Sequence, residues 1–220
     1  MRKYDLLIFD WDGTLVDSID RIVQSVWMAA KICNLPQRDE SAVKGIIGLA
    51  MPQAIKVLYP HLTEQAQIAH FLRVYAEHYL AFEETPSPFY PGVATTLELL
   101  RDQGYRLAVA TGKTRRGLNL VMGGHGWTDF FDATRCADET ASKPDPLMLN
   151  EILVQCDVEP AKAIMVGDSI FDLQMAEQAG IDAVAVSYGA QDSDRLQSCR
   201  FTLMIDRFEQ LAIWLASGKC

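Results

Sequence analysis

Short apolar runs that end in polar turns and lead into segments of helical period recur along most of this 220-residue chain, and that alternation constrains its fold more than any other feature. The first run, Tyr4-Asp5-Leu6-Leu7-Ile8-Phe9, is nearly continuous and ends at Asp10-Trp11-Asp12-Gly13-Thr14, as expected of a buried parallel strand that delivers the chain to a polar loop. Further strands are expected at 105–111, 132–136, 163–166 and 182–187, alternating with helices at 92–103, 114–122, 146–155, 170–179 and 207–217. Repeated strand–helix units imply an α/β fold with a doubly wound, parallel, Rossmann-like sheet.

One stretch departs from the alternation. From Asp17 to Glu84 the pattern is helical throughout, with helices expected at 17–33, 40–47, 51–58 and 63–83. The proline-dense segment Thr85-Pro86-Ser87-Pro88-Phe89-Tyr90-Pro91-Gly92 then reads as the linker that returns the chain to the sheet. The expectation is an α/β catalytic core of residues 1–16 and 86–220 with a small all-helical cap, 17–85, inserted after the first strand, and hinges near Val16-Asp17 and 85–91.

Composition removes several classes of function. A formal charge of −9 argues against general binding to nucleic acid or to an anionic membrane, so the expected partner is a small molecule. No apolar stretch approaches the roughly 20 residues that cross a bilayer, and a cytoplasmic protein is expected. The five cysteines (Cys33, Cys136, Cys156, Cys199 and Cys220) are odd in number and widely spaced, which fits reduced thiols rather than a disulfide framework or a zinc site. His61, His70, His78 and His125 form no metal-binding pattern; His70 and His78 read as residues of a solvated helix surface. Oligomeric state is not legible.

In a doubly wound sheet, ligands bind beyond the carboxyl ends of the strands. The polar residues there are Asp10 and Asp12, Thr111-Gly112-Lys113, Lys143 before a later helix, and Gly167-Asp168-Ser169-Ile170-Phe171-Asp172. If these ends converge, several carboxylates share a small volume, and each pair at about 4 Å would repel by roughly 4 kcal/mol at intermediate dielectric. Hard carboxylate oxygens without histidine or cysteine partners favour Mg2+ as the neutralising ion.

Asp10-Trp11-Asp12-Gly13-Thr14 resembles the first motif of the haloacid dehalogenase-like hydrolase superfamily. Thr111-Gly112 resembles its second motif, Lys143-Pro144 its third, and Gly167-Asp168-Ser169 with Asp172 its fourth, in the same order along the chain. The resemblance implies that Asp10 is a nucleophile forming an aspartyl phosphate and that Asp12 is general acid and base. It further implies that Thr111, Gly112 and Lys143 bind the transferring phosphoryl group, and that Asp10, Asp12 through its backbone carbonyl, Asp168 and Asp172 hold Mg2+. Whether Asp172 binds the ion or orients its waters stays open. Asp17 or Ser18 is expected to cap the first helix, and Trp11 to pack or to shape the entrance.

A helical cap in this position resembles the subgroup that contains phosphoglycolate phosphatases, phosphoglucomutases of the beta type, phosphonatases and haloacid dehalogenases. Asp12 fits its phosphatases and mutases, not the dehalogenase and phosphonatase branches. The expected activity is therefore hydrolysis of a small anionic phosphomonoester, phosphoglycolate-like or a sugar phosphate. The alternatives are a phosphomutase with the same core residues and a noncatalytic ligand-binding member of the fold. Gly48, in a loop resembling that between the cap helices of phosphoglycolate phosphatase-like proteins, is a candidate substrate contact as well as a simple helix terminator. Lys113 and Arg116 are candidate substrate-steering cations, with ordinary helix-surface charge as the alternative.

Overall fold

The computed structural model describes residues 2–82 and 85–218. Among these, six strands form one parallel sheet: β1 (Leu6–Phe9), β2 (Arg106–Thr111), β3 (Ala133–Cys136), β4 (Ala163–Gly167), β5 (Asp182–Val186) and β6 (Leu203–Ile205). Their spatial order is β3-β2-β1-β4-β5-β6. The chain therefore builds outward from β1 in one direction and then returns to its other side, so the switch point lies between β1 and β4, where Phe9 pairs with Val166.

Every residue of β1 is fully buried, which explains its unbroken apolar run. Successive side chains point to opposite faces. Leu7 and Phe9 join the cluster under α5 (Val93–Asp102), α6 (Arg115–Gly124) and α10 (Glu209–Ala216). Leu6 and Ile8 join the opposite one, under α7 (Leu147–Cys156), α8 (Ile170–Ala179) and the short α9 (Ser193–Leu196). Each such side chain contributes about 1.5–3 kcal/mol, so β1 anchors both layers of the core.

Between β1 and α5 lie α1 (Ile19–Ile32), α2 (Glu40–Lys44), α3 (Met51–Leu58) and α4 (Gln65–Phe82). α1 buries Ile19, Ile22, Val23, Val26, Ala29 and Ala30, a stripe at helical spacing, in a separate apolar cluster with Phe71, Val74 and Tyr79 of α4. The two connections from this helical block to the sheet run side by side. The Asp17 N–H donates to the Pro88 carbonyl at 2.9 Å, the Tyr90 N–H to that of Leu15 at 3.0 Å, and Arg21 Nη1 to that of Thr85 at 2.6 Å.

Several sequence expectations are corrected. The first strand begins at Leu6 rather than Tyr4. α2 ends at Lys44 rather than 47, because Ile46 and Ile47 continue the apolar period through a turn that finishes at Gly48 with φ +104°. β6 and α9 were not foreseen; at three and four residues they are too short to show a period. His78 is half-buried, with its Nδ1 3.2 Å from Ser25 Oγ and its ring edge-on to Phe82, rather than on a solvated surface. Cys33, Cys136, Cys156 and Cys199 are free thiols. The expected end of the fourth helix at Glu83, and Cys220, lie outside the described residues. No described helix is long and apolar enough to cross a membrane.

Candidate active site

The Asp10 N–H donates to the Val166 carbonyl at 3.0 Å, so the β1–β4 ladder fixes the first acidic residue just past the strand end. Lys143 Nζ lies 2.7 Å from Asp10 Oδ1 and 2.6 Å from Asp172 Oδ1, and its side chain is wholly buried. Asp172, in the first turn of α8, accepts the Ser169 N–H (3.2 Å) and Ser169 Oγ–H (2.6 Å) on its other oxygen, which satisfies a backbone donor at the helix start. Asp168 follows β4, accepting from Thr14 Oγ1 at 3.2 Å and from the Ala190 N–H at 2.6 Å. Gly13, at φ +80°, and Gly189 crowd Asp168 so closely that a Cβ at either would collide with it.

One oxygen from each of Asp10, Asp168 and Asp172 lies within 4.8 Å of the others, and all three residues are buried. Burial, with Asp172 and Asp168 nearby, raises the Asp10 carboxyl well above its ordinary range despite the opposing Lys143. Burial and Asp172 likewise bring Asp168 up to about 7. Burial works against the Lys143 ammonium, but Asp10 and Asp172 overcome it and hold the lysine charged. Three carboxylates facing one ammonium are short of positive charge, and Asp10 Oδ2 is a buried oxygen without a hydrogen-bond partner. An all-oxygen donor set with an unpaired oxygen fits a hard divalent cation.

Asp12 stands apart from this triad. Its Oδ1 accepts from Ser18 Oγ at 2.6 Å and lies 3.0 Å from Lys113 Nζ. Thr111 is fully buried at the end of β2, and its Oγ1 accepts the Lys113 N–H at 3.2 Å, which leaves the hydroxyl proton available to another acceptor. A side chain at Gly112 would run into the carbonyls of Gly48 and Leu49, so the loop after α2 lies directly against the second strand end.

The model of the family described as Haloacid dehalogenase-like hydrolase matches residues 7–186. The chain belongs to that family. Among its curated relatives, the protein named Probable phosphatase IndB of Dickeya dadantii is 32% identical, over 94% of this chain and 91% of its own length. Phosphoglycolate phosphatase of Vibrio cholerae is 32% identical over 86% of this chain and 87% of its own. Among solved structures, a predicted phosphoglycolate phosphatase of Haemophilus somnus superposes with a TM-score of 0.85 at 26% identity, covering 97% of this chain and 99% of that one.

In this haloacid dehalogenase-like hydrolase the four motif segments thus converge at one sheet edge, while the other candidates divide. Gly48 lies against Ser169, whose Oγ would be 2.9 Å from a Cβ there. Lys113 is partly buried against Asp12, whereas Arg116 is exposed on α6 and no contact ties it to the acidic residues among those described. Arg115 faces away, paired with Glu139 at 2.7 Å. Trp11 is fully buried against Phe89, His125 and Phe131, so it packs the core and does not shape an entrance.

Two residues at the site were missed in the sequence. Ser18 occupies the N-cap position of α1 but makes no side-chain capping bond, because its hydroxyl is spent on Asp12. Asp17, the other expected cap, is exposed. Tyr79 of α4 accepts from Lys113 Nζ at 2.9 Å. Ser18 sits six residues beyond Asp12 and was open to suspicion; Tyr79 carries no sequence signal, being one more aromatic residue on an amphipathic helix.

Proposed function

We propose that this hydrolase is a Mg2+-dependent phosphatase for a small anionic phosphomonoester, phosphoglycolate-like or a sugar phosphate, acting through an aspartyl-phosphate intermediate on Asp10. The observation that carries this reading is the unpartnered Asp10 Oδ2, buried among Asp168, Asp172 and Lys143. A carboxylate oxygen left bare in such a place is poised to meet phosphorus or a cation. The names of the relatives support the phosphatase class and, more narrowly, phosphoglycolate.

In this mechanism Asp10 attacks phosphorus and the ester oxygen departs, taking a proton from Asp12. Thr111 Oγ–H, the Gly112 N–H and the Lys143 ammonium bind the phosphoryl oxygens, where negative charge is greatest as the bond to the leaving group breaks. Asp12 then removes a proton from water as it attacks the aspartyl phosphate, freeing inorganic phosphate. Asp10, Asp168 and the Asp12 carbonyl would hold Mg2+ directly. Asp172, whose Oδ1 is already paired with the Lys143 ammonium and whose Oδ2 accepts from Ser169, would orient the ion's waters. The ion's contribution is to offset repulsion between an anionic nucleophile and an anionic ester. Residues 17–85 would act as a cap over a core of 1–16 and 86–220, excluding bulk water while the aspartyl phosphate exists. A cytoplasmic location is in keeping with this chemistry.

The test is release of inorganic phosphate from a panel of phosphomonoesters, with Mg2+ and with chelator. Turnover is expected only with the ion, and Asp10→Asn should lower it by about 10⁴-fold while circular dichroism stays unchanged. Substantial turnover by that variant would end the nucleophile assignment. Isomer formation without phosphate release would point to a mutase, and no turnover of any ester to a binding protein.

A further inference from the structure

Lys113 Nζ is the one described cation that joins the helical block to Asp12. It lies 3.0 Å from Asp12 Oδ1 and 2.9 Å from the Tyr79 hydroxyl, and 4.4 Å from the centroid of the Tyr79 ring. The lysine belongs to the loop after β2 and the tyrosine to α4, 34 residues away in sequence, so the contact bridges the sheet and the inserted helices. The lysine side chain is 10% exposed and that of Asp12 12%. Tyr75, one helical turn before Tyr79, stacks against it with centroids 6.0 Å apart.

The way Asp12 is held gives this bridge a purpose. Both of its neighbours, Ser18 Oγ at 2.6 Å and Lys113 Nζ, sit on the same oxygen, Oδ1. Two donors on one oxygen fix the carboxyl plane and leave Oδ2 as the oxygen that exchanges protons with a leaving group or water. An ammonium on a four-carbon stem is flexible and does not fix a partner unless it is itself held. Tyr79 holds it, by a hydroxyl hydrogen bond and by the face of its ring.

We infer that Tyr79 is a positioning residue which, through Lys113, aligns the Asp12 carboxyl for acid–base chemistry, so that Asp12 is correctly placed only while α4 is seated over the site. This deepens the proposed phosphatase reading and rests on it. The consequence is specific to one bond. Asp12 gives a proton to the ester oxygen as the phosphorus–oxygen bond breaks, with Asp10 forming the new bond to phosphorus. An alkoxide leaving group needs that proton, and a nitrophenolate, already a stable anion, does not.

The experiment is a quench-flow measurement of the first turnover with a simple alkyl phosphate and with p-nitrophenyl phosphate, at saturating Mg2+, for wild type, Tyr79→Phe and Lys113→Met. Tyr79→Phe keeps the ring and removes the hydroxyl, and equal melting temperatures would show that α4 still packs. With the alkyl ester, first-turnover alcohol release should fall about tenfold in Tyr79→Phe and further in Lys113→Met, with KM changing by less than about twofold. With p-nitrophenyl phosphate, the nitrophenol burst should stay within about twofold of wild type. An equal fall with both esters, or a rise in KM alone, would overturn the inference and leave the phosphatase reading standing. No turnover of either ester by wild type would overturn both.

Discussion

At the scale of single residues, Lys143 decides whether the acidic site can exist. A buried ion pair is weak evidence of net stability, since desolvation opposes the attraction, but removing one partner leaves the other charge buried and uncompensated. Lys143 touches Asp10 and Asp172 within 2.7 Å, and Asp168 stands beside them. Lys143→Met should therefore cost about 3–5 kcal/mol. For a chain of this length that is a fall of about 10 °C in melting temperature when chelator is present. Added Mg2+ should recover part of the loss, since it supplies the missing positive charge, while phosphate release stays abolished. Scanning fluorimetry with and without Mg2+, alongside a phosphate assay, reads both effects; an unchanged melting temperature in chelator would show that the carboxylates take up protons freely enough to dispense with the lysine.

Among the elements, the loop from Gly45 to Ala50 between α2 and α3 is the part of the helical block that lies against the acidic strand ends. The Ala50 N–H donates to Ser142 Oγ at 2.9 Å, next to Lys143, and Gln191 Nε2 reaches the Gly45 carbonyl at 3.4 Å. Gly48, at φ +104°, lies against Ser169. Gly48→Ala adds a methyl group where neither the backbone angle nor the space accepts one. The expected result is a loss of about tenfold in kcat/KM, with the melting temperature lowered by only a few degrees, because a left-handed backbone angle costs an alanine about 1–2 kcal/mol. Steady-state kinetics beside a thermal melt would separate the two, and a collapse in stability without a kinetic defect would make Gly48 a structural turn alone. Periodicity showed this loop only as an interruption between helices, and Gly48 stood out as a candidate substrate contact through the family resemblance alone. A helix with a clear stop, α8 closed by Gly180 at φ +70°, was legible to the residue, whereas the turn at Ile46-Ile47 kept an apolar period after the helix had ended. The facing of a loop or of Tyr79 depends on how two packed bodies meet, and periodicity within one element carries no trace of that.

For the whole molecule, the acidic residues were legible because each sits at a strand end or in the first turn of the helix that follows one, and a parallel sheet brings strand ends together. The same topology determines how ion binding should spread. Asp10 and Asp168 follow β1 and β4 directly and Asp172 lies in the first turn of α8, while α1–α4 are packed around an apolar cluster to which the rest of the chain adds only Ala190 among its buried residues, and are joined to the sheet by two adjacent connections. Mg2+ at about 100 times its dissociation constant stabilises the state that binds it by about 2.7 kcal/mol. That corresponds to a rise of about 5–10 °C in melting temperature for a chain of this size. Asp168→Asn should remove the shift, and Asp20→Asn, on the exposed face of α1, should preserve it. Since none of those three residues belongs to the helical block, hydrogen exchange should slow on Mg2+ addition in β1, β4 and α8 and change little along α1 and α4. Equal protection of α1 and α4 would mean that the helices and the sheet open as one cooperative unit; a cap that moves during turnover requires the unequal result, because only a block with its own opening equilibrium can leave the site while the sheet keeps its ion.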